Sequence, residues 1–140
     1  MFKGTKVYDV HGHVSAPNSV RTWIVGGFSS GHTGPSPLRA TGSASGDLSD
    51  EAFAKTFQMH TEYMDERNID VQVLGPRPFT MMGWMPRNLY GPWCEFTNDT
   101  IKKQVDSNPT RYLGASMLPQ MAEAPDLSNC VPEFEKNVKE

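Results

Sequence analysis

Hydrophobic and polar positions alternate with a period of two over residues 6–14, Lys-Val-Tyr-Asp-Val-His-Gly-His-Val. A strand here carries Val7, Asp9, His11 and His13 on one side and Tyr8, Val10, Gly12 and Val14 on the other. The pattern then lapses. Residues 15–46 are crowded with Gly, Pro, Ser and Thr, and only Val20, Trp23, Ile24, Val25 and Phe28 offer apolar anchors. Irregular segments of that length are uncommon inside a compact domain and are usually functional or disordered, so residues 15–48 form a candidate lid. Helical spacing follows, with Phe53, Phe57, His60 and Met64 on one face behind Asp50 and Glu51, which favour a first turn. Asn68 suits a left-handed helix end, and residues 69–74 alternate as a second strand that stops at Gly75-Pro76-Arg77-Pro78. A methionine-rich loop at 79–86 surrounds Trp84. The next helix, of about fifteen residues, turns Trp93, Phe96, Ile101 and Val105 inward and ends at Asn108-Pro109. Residues 111–118 read as a third strand, and a last helix begins or bends at Pro132 with Phe134 and Val138 one turn apart.

Three rounds of strand and helix predict an α/β fold with a parallel sheet and helices outside it, either an open doubly wound sheet or a (β/α) barrel. With 140 residues the chain has the length of one domain. The formal charge of −3 offers no basic stripe, which argues against nucleic acid and against an anionic membrane surface as partners. No apolar run approaches the roughly 20 residues of a membrane span. Cys94 and Cys130 form no C-x-x-C pair, and two such thiols suit a reducing cytoplasm, which is the expected location.

The chemistry concentrates on the first strand. Alternate strand positions lie roughly 6.5–7 Å apart at the backbone, so His11 and His13 can converge two neutral imidazoles on one divalent ion. Gly12 leaves room between them, and Asp9 is placed to orient a ligand histidine or to act through a bound water. Against this stands the plainer reading of two ordinary polar residues at a strand end. A catalytic zinc site generally takes three protein ligands, and only two are in evidence. His32 reads as an exposed loop histidine and His60 as a satisfied, partly buried one. Arg77 follows the second strand, where it can clamp a substrate carboxylate or simply face solvent. Trp84 and its methionines can wall a small-molecule pocket or merely cover a rim. Serine hydrolysis and nucleotide chemistry lack their motifs.

The opening Asp9-Val10-His11-Gly12-His13, the run Tyr63-Met64-Asp65-Glu66-Arg67-Asn68-Ile69-Asp70 into the second strand, the helix over 93–109, and Arg111-Tyr112-Leu113-Gly114 through Leu118-Pro119 together resemble the amidohydrolase superfamily. The resemblance points to its amidohydrolase-related branch, which includes aminocarboxymuconate semialdehyde decarboxylase. It implies a TIM-type (β/α)8 barrel binding zinc, or alternatively manganese, with His11 and His13 as the first two ligands and Asp9 beside them. It further implies a carboxy-lyase acting on an unsaturated or aromatic carboxylic acid; a hydrolase or hydratase of the same family is the alternative. Trp84 falls where related sequences carry an aromatic near the substrate, and residues 15–46 depart from the decarboxylase pattern, so Arg39 is given no substrate role.

A barrel needs about 250 residues. The 140 residues are therefore expected to be the N-terminal portion of one barrel domain, and the resemblance implies a further histidine ligand, a metal-binding aspartate and a proton-transfer histidine beyond Glu140. The contrasting expectation is a truncated, non-catalytic binding or assembly module. A small carboxylic acid is the expected substrate, and homo-oligomerisation stays open.

Overall fold

The computed structural model describes residues 2–18, 20, 48–77, 81, 87–121 and 123–139. In chain order it contains β1 (Tyr8–His13), α1 (Asp50–Glu66), β2 (Val71–Gly75), α2 (Arg87–Ser107), β3 (Tyr112–Gly114), a 3-10 turn (Ser128–Cys130) and α3 (Val131–Lys139). These fall into two compact units, residues 15–67 and the rest of the chain. No helix among the described residues is long and apolar enough to cross a membrane.

Residues 15–67 contribute α1. Ser49 caps it, its Oγ accepting from the Ala52 N–H at 3.2 Å, which satisfies one of the amides that a helix start leaves without a partner. The predicted apolar face is present, with Phe53, Phe57 and Met64 buried and the two phenyl rings 5.8 Å apart. Past the helix, Asn68 takes the left-handed conformation expected of it, with φ of 56°.

The other unit is built on a three-stranded parallel sheet in the order β1-β2-β3. Leu74 and Tyr112 are buried on one side of it. On that side a Cβ at Gly114 would meet Ile101 and Val105, so α2 covers this face. Tyr8 and Leu113 belong to the opposite face and are more than half exposed. Each strand adds to the next in sequence order, an order that a barrel keeps throughout and that the first three strands of a doubly wound sheet share.

Several boundaries differ from the sequence expectation. α2 runs for 21 residues rather than about fifteen, because it starts before Pro92. As the sixth residue, Pro92 lies past the first turn: it leaves the Asn88 carbonyl without its intrahelical donor and sets its ring against that carbonyl. β3 has three residues instead of the eight expected over 111–118. The Ala115 N–H makes the last ladder bond, to the Leu74 carbonyl at 2.8 Å, and the chain is then drawn off the sheet by α2. Asn98 accepts from the Met117 N–H at 2.7 Å and donates to the Met117 carbonyl at 2.9 Å. α3 begins at Val131, one residue before Pro132, and none of its residues is buried, so Phe134 and Val138 form an exposed stripe.

Candidate metal centre at the carboxyl ends of the strands

Register on β1 departs from simple alternation at the point where the chemistry begins. Asp9 pairs with Gln72 and Gly12 with Leu74, so three steps on β1 match two on β2. This is a β-bulge, and bulges re-aim side chains beside functional sites. Beyond it, His13 pairs with Gly75. Gln72 and Leu74 share one face of the sheet, so Asp9 lies on the side of Gly12 and opposite His13. The expected common face of Asp9, His11 and His13 is thereby corrected: the two histidines keep it and Asp9 leaves it.

The imidazoles of His11 and His13 lie with centroids 5.1 Å apart and planes at 88°. Nδ1 of His13 is 3.1 Å from the Pro76 carbonyl. A carbonyl only accepts, so the proton sits on Nδ1 and the lone pair of the neutral ring sits on Nε2. Histidine ligands are ordinarily oriented in this manner, by a backbone or carboxylate acceptor on the second ring nitrogen. Two imidazole nitrogens brought together on one edge fit half of a tetrahedral or larger ligand set for a divalent ion. Among the described residues no group of three His, Cys, Asp or Glu side chains is gathered for the rest.

Asp9 is built into the backbone around this pair. Its Oδ1 accepts the His11 N–H at 3.0 Å and its Oδ2 accepts from the Gln72 amide. Sequence reasoning does not single out Gln72, which is buried. Its one signal there is a polar residue standing between Val71 and Val73 in an otherwise apolar strand. The Pro76 carbonyl has no sequence signal at all.

Arg77 follows β2 at the same end of the sheet. Its Nε donates to the carbonyl of Val14, the residue after β1, at 3.3 Å, which places the guanidinium beside the strand bearing the histidines. Trp84 and His32 lie outside the described residues, as does most of the candidate lid. His60 is half-buried on α1, where its Nδ1 and Ser15 Oγ are 2.7 Å apart, which bears out the satisfied histidine expected there.

The carboxyl end of β3 is held by a buried polar cluster. Besides Met117, Asn98 Nδ2 donates to Glu133 on α3 at 2.7 Å, and Cys94 Sγ donates to the Met117 carbonyl at 3.2 Å. Burial, with the Glu133 carboxylate adding to it, pushes the Cys94 thiol up to about 12. Such a thiol stays protonated and is a structural donor rather than a nucleophile. Cys94 and Cys130 are both free and buried.

No family model matches the chain. It is similar to a 2-keto-4-carboxy-3-hexenedioate hydratase from a Sphingobium species, with 29% identity over 96 residues, 67% of this chain and 28% of that protein. Its fold is similar to the crystal structure of a 4-oxalomesaconate hydratase from Rhodopseudomonas palustris, with a TM-score of 0.70 and 26% identity over 96% of this chain and 38% of that one. The chain thus spans well under half the length of either relative. Both relatives are hydratases, so the carboxy-lyase expected from the sequence gains no support, while its hydratase alternative does.

Proposed function

We propose that this chain forms the first strands of a (β/α) barrel in a metal-dependent enzyme of the amidohydrolase superfamily, and that the enzyme hydrates a carbon–carbon double bond in an unsaturated polycarboxylic acid. The observation that carries the reading is the His11–His13 imidazole pair at the carboxyl end of β1, with His13 Nδ1 on the Pro76 carbonyl. Similarity to two hydratases supplies the reaction class. Sequential parallel strand order is compatible with a barrel, and the sheet face left exposed at Tyr8 and Leu113 supports a sheet that continues.

His11 and His13 would hold the ion, zinc or manganese, through one nitrogen each. When bound, the ion supplies positive charge that polarises substrate and water. Arg77 stands on the same edge, where its guanidinium can receive a substrate carboxylate in a bidentate pair and fix the double bond relative to the histidines. Trp84 is proposed as an apolar wall for the same substrate, on the sequence resemblance alone. The single barrel domain, with residues 15–48 as its lid, belongs to the same proposal.

The test is to incubate the complete enzyme carrying this segment with 4-oxalomesaconate, with and without a chelator, and to follow product by mass spectrometry. Gain of one water, abolished by chelation and restored by zinc or manganese, is the expected outcome. Release of carbon dioxide would return the assignment to a carboxy-lyase, and turnover indifferent to chelation would remove the metal.

A further inference from the structure

The bulge that aims the histidines is held by a residue from the neighbouring strand. Gln72 is only 8% exposed, and its side chain crosses the buried Gly12 to reach Asp9. A Cβ at position 12 would overlap Gln72 Cγ and Cδ, so the crossing exists because residue 12 has no side chain. Asp9 in turn accepts the backbone N–H of His11. The contacts run from β2 through a carboxylate to His11, which stands within the bulge between Asp9 and Gly12, and His13 follows just past it with the two rings 5.1 Å apart. Within a strand a bulge leaves the ladder locally unpaired. Here side-chain bonds take over from the missing ladder.

We infer that Gln72 is a positioning residue for the imidazole pair: through Asp9 it locks the β1 bulge that sets His11 beside His13. This rests on the proposed metal site, to which Gln72 contributes no ligand. Gly12 has a matching role as the gap through which the lock passes.

The test uses the whole chain, cobalt(II) as the probe, and amide hydrogen exchange at His11 as a readout that needs no metal. Gln72→Glu sets a second carboxylate against Asp9 and should break the lock. It should weaken cobalt binding on the order of 10-fold or more, the scale of lost outer-shell partners, and speed His11 exchange by a similar factor. The double variant Asp9→Asn with Gln72→Glu reverses donor and acceptor. The new amide at position 9 can donate to the new carboxylate at position 72 while its own oxygen still accepts from the His11 N–H. It should restore both readouts to within about 3-fold of the parent. Gln72→Met, neutral and of similar size, removes the donor without adding charge and should also speed His11 exchange; it replaces Gln72→Glu if that variant does not fold. Unchanged exchange and binding in Gln72→Glu, or failure of the double variant to restore them, overturns the inference. A parent chain that ignores cobalt would instead sink the metal reading, while exchange at His11 would still decide the role of Gln72.

Discussion

The two ends of the same three strands are built from opposite uses of polar groups. At the amino ends polar groups are spent on one another. The Val7 N–H donates to Asp70 Oδ2 at 2.8 Å, and Arg111 Nε and Nη2 donate to the Asp70 and Ile69 carbonyls at 2.8 Å each. Arg111 thus ties the start of β3 to the start of β2, and Asp70 ties β2 to β1. At the carboxyl ends polar groups fix the two histidines instead, the Pro76 carbonyl holding the His13 ring and the Asp9 carboxylate holding the His11 N–H. One end ties the strands to one another and the other carries the candidate metal centre, matching the division that parallel α/β folds make between stability and function.

Removing the histidines should separate the two ends by the widest margin. His11→Ala with His13→Ala should cut divalent-ion affinity on the order of 100-fold or more, with unfolding free energy within about 1 kcal/mol of the parent. Isothermal titration and urea unfolding separate the two effects. At the opposite end, Arg111→Met should do the reverse. It removes two charge-assisted hydrogen bonds and should destabilise the chain by about 2–3 kcal/mol, while cobalt affinity changes by less than about 3-fold. Equal losses of stability and affinity in either variant would erase the distinction between the ends.

A smaller effect at the amino ends is expected through pH. The Val7 N–H, helped by the Arg111 guanidinium, holds the Asp70 carboxyl below its ordinary 3.8. A lowered folded-state value means that Asp70 contributes stability above the unfolded value of 3.8 and loses it as pH falls through the lower folded value. Asp70→Asn should therefore flatten the acid limb of the stability curve below about pH 4. Urea midpoints measured between about pH 5 and about pH 2.5, values chosen to bracket the ordinary carboxyl range of about 4, read this directly.

Period and turn chemistry make much of the fold legible. The α1 face of Phe53, Phe57 and Met64, the left-handed Asn68 and the short β2 all follow from spacing and local residue type. β3 is shorter than its sequence suggests because Asn98, nineteen positions away, draws Met117 off the ladder, and no local pattern encodes that. The histidine pair is visible as alternate positions on a strand. The side taken by Asp9 is not, since a single inserted residue at the bulge shifts every later register and leaves the sequence looking regular. The proposed hydratase reading rests on likeness to two hydratases, since the acid and base groups that separate hydration from decarboxylation are not identifiable on this chain.

The most direct test of the metal site is a zinc titration of the chain carrying 15N-labelled histidine, following each imidazole by NMR. The rings of His11 and His13 should shift together toward one ion per chain, while His60, engaged with Ser15, stays unmoved. Silence from both rings at zinc concentrations up to about 1 mM, or a response from His60 in their place, would contradict the claim that the carboxyl end of β1 is a metal site.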